Sequence, residues 1–377
     1  MNLSFAYTHS PIEFYFKQSP RDFVVEEVPL YPFSGDGAHL VLKLRKKNLT
    51  TFETLKILSN HLGIKEKDIG YAGLKDKNAL TIQYISLPHF IKDKLEDFTH
   101  PEIKILDSNF HHNKIKIGHL KGNKFFIRIK KLSSLNAQKI VQVVESIKQF
   151  GIPNYFGYQR FGIDGKNYLQ GKEIIESKRR LRDKKMQNFL ISAYQSFLFN
   201  LWLSLRIDFS HIIATHSGKE LSKALEIYAK TNAIPTCFKD QGYCNALKKQ
   251  KHPFRLLEGD LLCHYPFGKH FILENLERES LRFLQKDLAP TGLLSGKKVM
   301  FAEGCAEFFE RQFLDSNILN AGQRRYAWVF PQNLEFYYKT EEAQGELCFF
   351  LPKGAYATNL LRELAHREIT EGIGENV

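Results

Sequence analysis

The stretch Gly70-Tyr71-Ala72-Gly73-Leu74-Lys75-Asp76-Lys77-Asn78-Ala79-Leu80-Thr81-Ile82-Gln83 sets one carboxylate, Asp76, between two lysines. A carboxylate among cations tends to stay ionised, because neighbouring positive charge favours the charged form. Such a group can attack as a nucleophile or stabilise developing positive charge, and Lys75 and Lys77 suit an anionic substrate. The same residue types also build an ordinary charged turn at a hairpin. Gln83 lies two residues past Thr81 on a β-prone run, so the two share a face. It suits a site residue or a plain exposed strand position.

Three further groups carry chemistry. Asn123 and Phe125 stand two apart on a predicted strand, where an amide can hydrogen-bond a base while the ring stacks on it. Phe125, Ile127 and Ile129 equally read as a core stripe. The block Asn154-Tyr155-Phe156-Gly157-Tyr158-Gln159-Arg160-Phe161-Gly162 packs aromatics around Gln159 and Arg160. It reads as a structural hinge with Arg160 reaching a phosphate backbone. The run Lys178-Arg179-Arg180-Leu181-Arg182-Asp183-Lys184-Lys185 is the densest basic stretch. Lys178, Arg179, Arg180 and Arg182 suit phosphate contacts, or else a solvated helix face.

The elements that must position these residues follow from periodicity. Phe23 to Val28 is β-prone, and His39 to Arg45 alternates with Leu40, Leu42 and Leu44 on one face. Thr50 with Glu53 forms a capping box ahead of Phe52, Leu55, Leu58 and Leu62 at helical spacing, and Gly63 ends that helix. Lys114 to Ile117 and Asn123 to Lys130 alternate as strands. Ile140, Val143, Val144, Ile147 and Phe150 mark a long helix stopped by Gly151. Segments near 170–206, 275–289 and 302–318 read as helix, with turns at Pro290-Thr291-Gly292 and Leu294-Ser295-Gly296. Strand character returns near 326–330, 334–338 and 347–351, before a last helix over 357–366.

The chain of 377 residues suffices for two domains of ordinary size. Its net charge of +13 favours a polyanion such as nucleic acid, or an anionic membrane surface. Residues 1–7 show no secretory signal pattern. Phe189 to Leu205 carries no charged residue but holds several polar ones, and reads as a buried helix rather than a membrane span. Five cysteines without a Cys-x-x-Cys pair suit reduced thiols, and the adjacent pairs Cys263-His264 and His111-His112 lack zinc-ligand spacing, so no metal is expected.

The string around Asp76 resembles the signature of the TruD family of tRNA pseudouridine synthases. Four other blocks match that family in order: Arg21-Asp22-Phe23-Val24-Val25-Glu26, Lys121-Gly122-Asn123-Lys124-Phe125, Pro153 to Gly162, and Leu351 to Glu363. The resemblance implies a cofactor-independent isomerase acting on tRNA, at uridine 13 of the D arm, with Asp76 as nucleophile. It implies a uridine pocket lined by Phe23, Asn123, Phe125 and Tyr356, with Lys17 nearby. Many members carry Phe where this chain has Tyr356. The implied fold is α+β: a largely antiparallel mixed sheet of the pseudouridine-synthase kind over 1–153 and 323–377, with a helix-rich α/β domain inserted over 154–322. A cytoplasmic monomer with tRNA as its partner, and no membrane or protein partner, completes the expectation.

Isomerising uridine breaks the N-glycosidic bond, turns the uracil and rejoins it through C5. No water is activated, so one carboxylate suffices, whereas a hydrolase generally needs two. A glycosidase or nucleosidase is therefore the weaker reading. A non-catalytic RNA-binding or RNA-chaperone protein on the same fold is the other alternative, and the intact Asp76 argues against it.

Overall fold

A computed structural model describes residues 2–16, 19–162, 164–229 and 235–369. The chain divides into two compact units. One takes Pro11–Glu145 and Pro331–Ala357; the other takes Ser146–Phe330 with Met1–Ser10 and Thr358–Arg367.

The first unit is built on a mixed sheet. Its main strands are β1 (Phe23–Pro29), β2 (His39–Lys47), β3 (Leu80–Pro88), β4 (Ile103–His111), β5 (Leu120–Lys130), β6 (Gln332–Lys339) and β7 (Gln344–Pro352). Their spatial order is β6-β7-β5-β1-β3-β2-β4, with Tyr15–Phe16 added beside β5 and Gly70–Tyr71 beside β3. Every pairing is antiparallel except β1 with β3. The sheet is thus largely antiparallel, as the alternating patterns require.

Helix α1 (Thr51–Leu62) begins at the expected capping box, with Thr50 accepting from the Glu53 N–H, and ends at Gly63 in the left-handed region. Leu55, Leu58 and Leu62 pack on Leu40, Leu42, Leu44, Ile85 and Leu87. Phe52, expected on that stripe, is instead exposed and lies edge-on to Tyr71. Helix α2 (Ser134–Phe150) buries Ile140, Val143, Val144 and Ile147. Lys114 to Ile117 does not form the expected strand. Its hydrogen bonds go elsewhere: Ile115 N–H donates to the Ser86 hydroxyl, and the following Gly118 N–H to the Ala72 carbonyl. Ile115 is buried there, while Ile117 points into solvent.

The second unit is organised by α3 (Lys184–Thr215), a helix of 32 residues. By length and composition it could cross a membrane, but 61% of its most apolar window is buried inside the protein. Its polar centre is Arg206, fully buried, donating to both oxygens of Asp260 at 2.6 and 2.8 Å. A four-stranded sheet lies against it, ordered His270–Ile272, Leu261–His264, Leu288–Leu294 and Gln323–Tyr326.

Three expectations fail in this unit. Pro290-Thr291-Gly292 is no turn but the middle of a buried strand. Gly292 is there for close approach: a Cβ would lie 2.2 Å from Trp202 and 2.8 Å from Phe199 on α3. Glycine in a strand often marks such packing rather than a turn. The predicted helix of 275–289 stops at Leu284, because Leu288–Leu294 pairs as a strand. Cys237 and Cys305 form a disulfide, where reduced thiols are expected. Their 68-residue separation carries no motif that would have announced the pair.

Gly292→Ala should destabilise the protein by about 1–3 kcal/mol, the usual cost of overpacking. Urea denaturation measures it. Wild-type stability in this variant would show that the helix does not rest on the strand as closely as described.

Candidate active site

Register places two rows of side chains on one face of the sheet. Lys46, Thr81, Val25, Phe125 and Phe349 are cross-strand neighbours on β2, β3, β1, β5 and β7. Two residues along each strand, the next row holds Leu44, Gln83, Glu27, Asn123 and Leu351. Lys46, Thr81 and Gln83 are fully buried and Glu27 nearly so. An otherwise apolar sheet face therefore carries a polar patch at its centre.

The loop between Tyr71 and Leu80, which bears Asp76, crosses this patch. At one end the Ala72 carbonyl accepts from Gly118 N–H at 2.8 Å. Next, the Lys75 ammonium forms a buried ion pair with Glu27, and the Lys75 N–H donates to Thr51 Oγ1 at 2.9 Å. Thr51 in turn donates to Gln83 Oε1 at 3.3 Å. At the far end the Lys46 ammonium donates to the carbonyls of Leu49, at 2.6 Å, and Asp76, at 3.2 Å. Lys77 is exposed and pairs with Glu53 at 3.1 Å. Hydrogen bonding to Thr50 N–H, and then Lys77, hold Glu53 at about 2. Asp76 itself is half-buried. Gly70 begins the loop where a Cβ would sit 2.4 Å from both the Ile115 carbonyl and the Ser86 hydroxyl.

These contacts change the expected roles of several residues. Lys75 is committed to Glu27, so it braces the loop and is not presented to a phosphate. Gln83 is neither an exposed strand residue nor open to a ligand, because it lies beneath Thr51. Phe125 is 8% exposed and its ring lies between those of Phe23 and Phe349, at 6.1 and 5.2 Å between centroids. Its face is therefore already stacked within the protein, and the core-stripe reading describes its packing. Tyr356 is half-buried and follows the turn at Gly354, where Lys353 N–H donates to the Lys121 carbonyl. That turn lies at the Asn123 end of β5. Among the described residues, buried Thr81 Oγ1, Gln83 Nε2 and Asn123 Oδ1 have no hydrogen-bond partner, which is uncommon for buried polar atoms. Lys17 lies outside the described residues.

In the helix-rich unit, Arg160 sits on a short 3₁₀ turn and donates to Ser196 Oγ at 3.3 Å and to Ser192 Oγ. Its guanidinium lies 5.3 Å from the centre of the Phe189 ring. The basic run is mostly a loop between Asn167–Ile175 and α3, with only Lys184 and Lys185 in the first turn of α3. Lys178 pairs with Glu176 at 2.7 Å and Arg179 with Glu173 at 3.6 Å, while Arg180 and Arg182 are exposed. Asp183 caps α3.

Sequence reasoning missed Lys46, Glu27 and Thr51. Strand parity could have found two of them. Lys46 continues the inward series Leu40, Leu42, Leu44, and Glu27 continues Phe23 and Val25. A charged residue at an inward position must be paired or bonded.

The model of the TruD family, tRNA pseudouridine synthase D, matches residues 2–182 and 244–364. The tRNA pseudouridine synthase D of Wolinella succinogenes is 57% identical over 96% of this chain and 97% of its own length. That of Helicobacter pylori is 49% identical over 100% of this chain and 99% of its own. In fold, the crystal structure of a TruD protein from Methanosarcina mazei superposes with a TM-score of 0.64, at 22% identity, over 97% of this chain and 96% of that one.

Burial, partly offset by the charge of Asp76, pushes the Lys46 ammonium down to about 8 from an ordinary 10.5. Between those values the unfolded chain binds the extra proton, so this group makes unfolding free energy rise with pH. Below about 8 the folded state carries the buried charge at full cost. Lys46→Met keeps the stem and removes the charge. Denaturation at several pH values across this window should show a shallower rise in the variant. Parallel curves would place Lys46 in contact with water instead.

Proposed function

The chain belongs to the TruD family, and from that premise we propose that it is a tRNA pseudouridine synthase. Its target is proposed to be uridine 13 of the D arm, the characteristic target of the family it resembles. The carrying observation is the way Asp76 is held. Its loop is fastened across a buried polar patch by Lys46, Thr51 and Glu27, which leaves the carboxylate half-buried at the patch. Catalytic groups work from such fixed positions, because orientation then costs nothing at the moment of reaction.

The proposed reaction needs no net oxidation. The C1′–N1 bond breaks, C1′–C5 forms, C5 loses a proton and N1 gains one. The Asp76 carboxylate acts as nucleophile, or supports positive charge at the sugar. The uridine must leave its stack, which calls for a ring to receive it and polar groups to read its edge. Asn123, with an unsatisfied oxygen, suits the second task. Tyr356 suits the first, with Phe125 and Phe23 as the packed floor beneath. Arg160, Arg180 and Arg182 are proposed to meet tRNA phosphates, with Lys178 and Arg179 exchanging their surface carboxylates for phosphate. Such exposed pairs are worth little and are easily traded. We assign the sheet-bearing unit to chemistry and the helix-rich unit to tRNA positioning, in the cytoplasm where tRNA is modified.

Asp76→Asn preserves size and removes the anion. It should lower the single-turnover rate by at least roughly 10³-fold while tRNA binding stays nearly intact. Nucleoside analysis of treated tRNA reads the product. Substantial turnover in this variant would remove Asp76 from the chemistry, and free uracil would mean a hydrolase.

Tyr356→Ala should weaken productive binding by about 1–3 kcal/mol if the ring stacks on a base, and Tyr356→Phe should be mild. Steady-state kinetics on one tRNA decide it. Equal losses in both variants would mean that the hydroxyl, not the ring, matters.

A further inference from the structure

A cavity of about 670 Å³ in the sheet-bearing unit lies apart from the Asp76 patch. It opens along the β2 and β4 edge of the sheet. Leu40, Leu42, Leu95 and Ile105 are among the residues that line it. Five cations line it: Arg21, Arg45, Lys47, Lys92 and Lys104. Against them stand two carboxylates, Glu96 and Glu102, and Glu102 is already 3.7 Å from Lys47. Arg21, Arg45 and Lys104 are exposed and make no ion pair among the described residues. Lys92 lies 5.6 Å above the Phe110 ring.

The cations come from separate segments. Arg21 lies on the 3₁₀ turn before β1, Arg45 and Lys47 on β2, Lys92 in the short turns after β3, and Lys104 on β4. Charges spread in this way suit successive phosphates of a strand better than one phosphate held by converging donors. The cleft also neighbours the Asp76 loop: Lys47 is the cross-strand partner of Leu80, four residues after Asp76. Every cation named here lies in the same compact unit as Asp76.

We propose that this cleft is an RNA-backbone site that takes the phosphodiesters of the strand flanking the reacting nucleotide. The proposal rests on the tRNA reading above and adds a second contact surface to it, on the sheet-bearing unit itself. A backbone site of this kind sets register without reading sequence. It holds the target nucleotide over Asp76 while contributing nothing to the bond changes.

The test replaces Arg45, Lys92 and Lys104 together by Gln. Among the described residues, none of these hydrogen-bonds or ion-pairs with the Asp76 loop. Wild type and variant are compared in tRNA affinity across a salt series, and in single-turnover pseudouridine formation at saturating tRNA. Loss of three phosphate contacts should reduce the slope of log affinity against log salt by about 2. KM should rise roughly tenfold at moderate salt, with the saturated rate unchanged. Lys104→Gln alone, on an exposed edge residue, should give about a third of the slope change, and serves if the triple variant folds poorly. Unchanged slope and KM in an active enzyme overturn the proposal. So does a variant that binds tRNA like wild type but loses protection by inorganic phosphate in thermal denaturation, which would make the cleft a small-anion site. The expected slope change in the variant, together with a wild type that binds tRNA but forms no pseudouridine, would sink the catalytic reading and leave the RNA cleft standing.

Discussion

The Lys75–Glu27 ion pair is the constraint on which the candidate site depends. Both side chains are almost wholly buried, at 5% and 1% exposure. Removing two charges from water costs several kcal/mol each, and the attraction between them only offsets that if geometry is good. Such a pair is therefore a poor device for stability and a plausible one for specificity. Here it ties the loop beside Asp76 to the middle of β1, with Thr51 of α1 accepting the Lys75 N–H and Lys46 of β2 holding the Asp76 carbonyl. Three elements thus fasten adjacent residues of one loop. A slip of the loop by one residue would leave Glu27 as an unpaired buried charge.

The segment that carries Asp76 joins two antiparallel neighbours. Lys47 at the end of β2 lies opposite Leu80 at the start of β3, a place where a short turn would suffice. The chain instead runs through α1, Gly70–Tyr71 and the Asp76 loop before β3 begins. The Asp76 carboxylate is thus carried on a long insertion between adjacent strands, while its supports, Lys46, Glu27 and Asn123, stand on strands whose register is fixed. A one-residue shift of any strand would turn its polar residue to the opposite face.

Much of this was legible in the residues. The alternating strands, the capping box at Thr50, the stop at Gly151 and the apolar face of the last helix follow from local rules, and the structure contains them. The failures share a cause. Pro290 and Gly292 look like punctuation, yet Gly292 is required by the ring of Trp202, on a helix ninety residues earlier in the chain, and by no local pattern. Ile115 and Ile117 alternate as a strand would, but the local hydrogen bonds go to Ser86 and Ala72. The disulfide is equally non-local. In each case a tertiary partner overrides a sound local preference.

The site shows the same division at finer scale. Asp76 stands out because a lone acid between two lysines invites a chemical reading. Its supports do not, since Lys46, Glu27 and Gln83 look like common surface residues until strand parity turns them inward. Once inward, Lys46 and Glu27 find partners on the Asp76 loop, and Gln83 Oε1 accepts from Thr51, which itself accepts from the Lys75 N–H. The burial that makes these residues inconspicuous in sequence is what makes them effective in structure. In water, Lys75 and Glu27 would form a pair of small consequence. Beneath the loop, at low local dielectric, the same two charges hold one backbone geometry against its alternatives. The flanking lysines of the signature therefore divide their labour by depth, with Lys75 fixing the loop from below and Lys77 left at the surface with Glu53.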